Sequence, residues 1–97
     1  MPNSITVRDL RNLIGNAKII DIRDNLSFNR GCIPTAVNMP HNFLLINASS
    51  YLNKNDTYYI YCETGYTSKK VCNELISNGF KVVNVIGGYQ AYKMLGY

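Results

Sequence analysis

Cys62 is the residue of this chain best placed to do chemistry. It ends a run dense in β-formers, Thr57-Tyr58-Tyr59-Ile60-Tyr61, and opens a short polar segment, Cys62-Glu63-Thr64-Gly65-Tyr66-Thr67. An amphipathic helix is expected to follow from Ser68 to Ser77, with Val71, Cys72, Leu75 and Ile76 on one face. A thiol between a strand end and a helix start meets two favourable fields. Successive N–H groups of a tight loop converge on one point as an anion nest, and the helix N-terminus adds roughly half a positive charge. Both favour a charged sulfur, and the thiolate is the nucleophile. Gly65 supplies the positive φ that such a cradle often needs. Position alone leaves open the alternative of a buried, inert cysteine.

The remaining reactive side chains carry less. Cys72 falls on the apolar helix face and reads as core. Cys32 reads as a tolerated surface or half-buried thiol. The three cysteines form no CxxC pair and leave one over in any disulfide scheme, which argues against a disulfide framework. His41, the single histidine, follows Pro40 in a loop with no evident partner and reads as a surface residue. No metal and no cofactor is expected.

The elements that must position Cys62 follow from the spacing of apolar residues. Thr6-Val7-Arg8-Asp9 resembles a capping box; behind it Val7, Leu10, Leu13 and Ile14 recur at helical spacing until Gly15-Asn16. Lys18-Ile19-Ile20-Asp21-Ile22 reads as a buried strand, and Asn25 to Arg30 as one helical turn. Ala36-Val37-Asn38-Met39 is a second short strand, and the stretch from His41 to Leu52 is ambiguous, with a helix around Phe43 to Ile46. Beyond the Ser68–Ser77 helix, Asn78-Gly79 is the stop, 82–86 a strand, Gly87-Gly88 a turn, and Tyr89 to Leu95 a last helix. Short apolar strands alternating with helices imply an α/β domain with a parallel sheet and helices on both faces.

Bulk composition bounds the function classes. Ninety-seven residues suit a single domain, and 46% hydrophobic against 16% charged residues is too apolar for disorder. No apolar run approaches the ~20 residues of a membrane-spanning helix, and the first residues lack a basic start followed by an apolar stretch. A cytoplasmic protein with no membrane partner is therefore expected. The net charge is +4, but the ten Lys and Arg are scattered rather than arranged as a stripe, so nucleic acid is not an expected partner.

Four segments carry a resemblance. Asp21-Ile22-Arg23, Phe28 and Gly31 to Pro40 form the first stretch, and Tyr61-Cys62-Glu63-Thr64-Gly65-Tyr66-Thr67-Ser68 the second. Leu75 with Gly79-Phe80, and Gly87-Gly88-Tyr89-Gln90-Ala91-Tyr92, close the series. Together they resemble the rhodanese-like domain family in order and spacing, from about Asp21 to Tyr92. The resemblance implies a central parallel sheet of about five strands flanked by helices, and a sulfurtransferase in which Cys62 attacks a sulfur donor and becomes a persulfide. Glu63, Thr64, Gly65, Tyr66, Thr67 and Ser68 would then bind the substrate, their N–H groups holding the charge of the terminal sulfur. The implied partners are a small sulfur donor such as thiosulfate, or a protein that donates or accepts a persulfide. A non-catalytic binding module of the same fold is the alternative, although retention of Cys62 speaks against it. A phosphatase or arsenate reductase is a third. Phosphatases of this fold carry a loop one residue longer than the six here and end it in arginine, where this chain has Thr67.

Departures from the family pattern sharpen the expectations. Thr67 stands where many sulfurtransferases have arginine, and Glu63 adds a negative charge beside the nucleophile. Both should weaken attraction for thiosulfate, with Lys69 and Lys70 as candidate compensation. Cys32 replaces a histidine and Tyr92 a tryptophan. Arg23 is expected to be structural, paired with Asp24 or with a backbone carbonyl.

Overall fold

The computed structural model describes residues 3–96. In chain order its elements are β1 (Ser4–Ile5), α1 (Val7–Arg11), β2 (Lys18–Asp21), α2 (Asn25–Arg30), β3 (Val37–Asn38), α3 (His41–Tyr51), β4 (Thr57–Tyr61), α4 (Tyr66–Ser77), β5 (Lys81–Val85) and α5 (Gly88–Lys93). The five strands form one sheet in the order β1-β5-β4-β2-β3, and every pairing is parallel. Asp21 lies opposite Tyr61, and Ile60 opposite Asn84, so β2, β4 and β5 end level with one another.

The period-2 alternation of side chains divides each strand between two cores. From β4, Tyr58 and Ile60 face one side of the sheet, where α3 and α4 contribute Leu44, Ala48, Val71, Cys72 and Leu75. Tyr61 faces the other side, packed with Ile19, Val85, Val7 and Leu10. Cys62 continues the Tyr58–Ile60 row, so its side chain emerges on the α4 side of the sheet.

Several elements differ from the sequence-based expectation, each for a local reason. The two-residue strand β1 was not foreseen; its place is fixed by bonds to the last strand, Asn84 N–H to Asn3 O and Ile86 N–H to Ile5 O, both 2.8 Å. Helix α1 stops at Arg11 and unwinds through turns to Asn16, while Ile14 still packs on the core. The Thr6 hydroxyl accepts the Asp9 N–H at 3.1 Å, as the capping pattern predicts. Helix α3 fills the ambiguous stretch up to Tyr51; its apolar residues are split between buried Leu44 and Ala48 and exposed Phe43, Ile46 and Tyr51, which blurs the period. Helix α4 begins at Tyr66, so Tyr66 and Thr67 form its first turn rather than the end of a loop.

Candidate active site

Strand β2 leads outward to β3 on one side, and β4 leads through α4 to β5 on the other. The crevice between the ends of β2 and β4 is thus the switch point at which open α/β sheets bind ligands. Cys62 sits there, at the floor of a cavity of about 400 Å³. Ile22, Arg23 and Asp24 from the end of β2, His41 and Asn42 from the start of α3, and Thr67 from α4 complete much of its wall.

The Cys62 sulfur is held by the turn that follows it. Gly65 N–H donates to Sγ at 3.1 Å and Ser68 N–H at 3.3 Å. The turn closes because Gly65 adopts φ 95°, and a Cβ there would lie 2.9 Å from the Gly87 nitrogen. Ser68, fully buried, takes the Cys62 S–H on its Oγ at 3.3 Å and gives its own proton to Asn84 Oδ1 at 2.5 Å. The first amides of a helix have no intrahelical acceptor, and at the start of α4 those of Gly65 and Ser68 find one in the sulfur.

A second grip comes from α5. Tyr89 N–H donates to the Cys62 carbonyl at 2.9 Å and Gln90 N–H to the Glu63 carbonyl at 3.0 Å. Gly88 makes this approach feasible, since its φ is 58° and a Cβ would come within 2.8 Å of the Glu63 carbonyl. The Gly87-Gly88 pair of the sequence is the docking point of α5 on the backbone of Cys62.

Arg23 braces the opposite wall. Its Nε lies 3.1 Å from both Asp21 carboxylate oxygens and its Nη2 2.7 Å from Oδ2; Nη2 also donates to Gly31 O at 2.6 Å, and Nη1 to Glu63 Oε1 at 3.1 Å. The guanidinium stacks 4.3 Å over the Tyr89 ring. Burial opposes the Arg23 charge, but the bonds and charge of Asp21, with Glu63, outweigh it and raise its pKa further. Asp21, two residues back on the strand and fully buried, is thus the principal partner in place of Asp24; the expected carbonyl partner is Gly31.

The six residues after Cys62 are not equivalent. Gly65 and Ser68 reach Sγ, and Glu63 and Thr67 line its cavity. The Glu63 carboxylate is paired with Arg23 and hydrogen-bonded by the Gln90 amide, so its charge is already compensated. Thr64 faces a second cavity, of about 470 Å³, on the far side of the turn, together with Lys69, Cys72 and Asn84. Tyr66 points to solvent, with the Lys70 ammonium 4.5 Å over its ring. Neither lysine is among the residues lining the Cys62 cavity. His41 is, although exposed; Cys32 is half-buried and lies elsewhere. Cys72 is buried in the core, and that burial pushes its thiol up to about 12. Sequence reasoning missed Asn42 and Asn84, and named Asp24 only as a partner of Arg23. Asp24 and Asn42 follow strand ends that the topology brings to one crevice; Asn84 stands between the valines of β5.

Among the described residues no helix is long and apolar enough to cross a membrane, and no group of three or more His, Cys, Asp or Glu side chains could hold a metal ion.

Comparison with known proteins agrees with this fold. Residues 6–95 match the rhodanese-like domain model. YtwF, a putative sulfurtransferase of Bacillus subtilis, is 35% identical over 75 residues, 77% of this chain and 72% of that one. Thiosulfate sulfurtransferase 18 of Arabidopsis thaliana is 33% identical over 104 residues, 92% of this chain and 76% of that one. The crystal structure of a rhodanese-like domain protein from Staphylococcus aureus superposes with a TM-score of 0.85 at 38% identity, over 95% of this chain and 91% of that one. The matched residues include β2 to β5 and both walls of the crevice, and on that footing the chain belongs to the rhodanese-like domain family.

Proposed function

We propose that this chain is a sulfurtransferase that carries sulfur on Cys62. The observation that carries the reading is the Cys62 sulfur accepting two backbone N–H groups at the floor of the switch-point cavity. Fixed N–H donors in a site shielded from water stabilise developing negative charge without reorganising. In the first half-reaction the Cys62 thiolate attacks the outer sulfur of the donor. With thiosulfate, the S–S bond breaks and sulfite leaves with its electron pair; with a persulfide, a thiolate leaves. Either way Cys62 becomes a persulfide. In the second half-reaction an acceptor thiolate or cyanide attacks the terminal sulfur, and Cys62 departs as the thiolate.

The charge lining the cavity favours a persulfide donor over thiosulfate. Arg23 is its single permanent cation, and that charge is committed to Asp21 and Glu63, while Asp24 adds a carboxylate at the rim. Thr67 contributes only a hydroxyl. A dianion therefore meets a site with no free positive charge to clamp it.

Intact mass after incubation with a sulfur donor tests the reading, through a gain of ~32 Da, one sulfur atom in a covalent intermediate. The gain maps to Cys62 and disappears on adding a thiol. No gain from thiosulfate or from a low-molecular-weight persulfide overturns it.

A further inference from the structure

We propose that Asn84 is a positioning residue whose side-chain amide turns over as Cys62 passes between thiol and thiolate, setting the direction of the hydrogen-bond chain Asn84–Ser68–Cys62. The inference rests on the reading of Cys62 as the nucleophile.

A serine hydroxyl has one proton to give. Ser68 gives it to Asn84 Oδ1 at 2.5 Å, so toward Cys62 it presents a lone pair, which takes the S–H at 3.3 Å. Every member of that chain is satisfied, and the arrangement favours the thiol. Once the sulfur loses its proton the same arrangement sets a buried oxygen lone pair against a negative charge. The hydroxyl must then rotate and donate to sulfur, which leaves Asn84 Oδ1 facing an oxygen lone pair. A buried acceptor with no donor costs roughly 1–3 kcal/mol.

Asparagine can remove that cost. The two ends of its amide are nearly the same shape, one an acceptor and the other a donor. A half-turn about Cβ–Cγ presents Nδ2 to Ser68 Oγ, and the chain then runs N–H to O–H to S⁻. Asn84 has space for the turn, because it borders the cavity of about 470 Å³ beyond the Cys62 turn, among Asn3, Ser4 and Asn73. The side chains of Asn3, Ser4 and Asn73 in that lining can each both donate and accept. Aspartate of the same size only accepts when ionised, and would hold Ser68 in the orientation that favours the thiol.

The test is the pH profile of Cys62 alkylation by iodoacetamide, followed by peptide mapping in the full chain, with sulfur loading by mass measured in parallel. Asn84→Asp is expected to slow labelling at pH 7 by about tenfold, moving the profile up by about one pH unit. Asn84→Ser restores a group that both donates and accepts, and brings the profile back toward wild type. In a Ser68→Ala background the effect of Asn84→Asp shrinks to about threefold or less, the remainder being charge acting through space. Asn84→Ala frees the Ser68 hydroxyl for sulfur and moves the profile to lower pH, the opposite direction, which serves should Asn84→Asp not fold. An unmoved profile in Asn84→Asp, an equal effect with and without the Ser68 hydroxyl, or an upward move in Asn84→Ala overturns the proposal. Sulfur loading with unmoved profiles defeats the switch alone. Profiles that move as described, with no sulfur loading from any donor, defeat the sulfurtransferase reading and leave the switch standing.

Discussion

At the scale of single residues, the cradle around Cys62 separates the groups that touch its sulfur from those that only neighbour it. Cys62→Ser is expected to abolish sulfur loading while leaving the thermal midpoint close to wild type. The hydroxyl can accept the same two N–H groups but is far less nucleophilic at neutral pH. Thr67→Arg should raise kcat/KM for thiosulfate by roughly ten- to a hundredfold, because it restores a charge-assisted bond worth about 1.5–3 kcal/mol. The gain should shrink as salt rises, since the mouth of the cavity is partly exposed. Glu63→Gln should act in the same direction but more weakly, by releasing part of the Arg23 charge. Steady-state kinetics with thiosulfate and cyanide decide both; a lower kcat/KM in Thr67→Arg would mean that the donor binds elsewhere. The placing of Gly65 and Ser68 around Cys62 was legible in the sequence because it is local, within one short turn. The Asp21–Arg23 pair was legible in principle, since residues two apart at a strand end share a face. Compensation of Glu63 was not, because Arg23 lies forty positions away.

At the scale of elements, strands β2, β4 and β5 and helix α4 were readable because each has a clear period or a dense β-forming run. β1 was not, since two residues hold no pattern and its partner lies at the far end of the chain. α3 was only half readable because three of its large apolar residues face solvent. Helix α4 buries Cys72, and this has a pH consequence. Burial lifts the thiol from its ordinary 9.0 to about 12, so the folded state holds its proton more tightly than the unfolded state. The resulting stability is fully present below pH 9.0 and is lost progressively as the pH rises toward about 12. Urea unfolding at stepped alkaline pH should show a shallower loss in Cys72→Ala than in wild type, after allowing for the methyl-sized cavity. In wild-type protein Cys72 should alkylate more slowly than Cys62; equal rates would mean that α4 does not shield it.

At the scale of the whole molecule, a parallel sheet covered on both faces was legible from the alternation of short strands and helices. The strand order was not, because it depends on contacts between residues far apart in sequence. The sheet and the site share one core: Leu75, Val71 and Ile60 pack beside Cys62. Leu75→Ala is expected to cost about 2–5 kcal/mol, the usual range for truncating a fully buried leucine. It should lower the urea midpoint without changing its slope. A loss under about 0.5 kcal/mol would show that α4 is not held by this contact.

The double grip on Cys62, by its own turn in front and by the start of α5 behind, also fixes a sequence of events in time. Tyr89 and Gln90 hold the carbonyls of Cys62 and Glu63, yet the ribosome makes them more than two dozen residues later. A growing chain therefore displays Cys62 without this second grip. The turn is gripped from both sides only once β5 and α5 close against it, so the geometry around the sulfur is completed by residues made well after the cysteine itself.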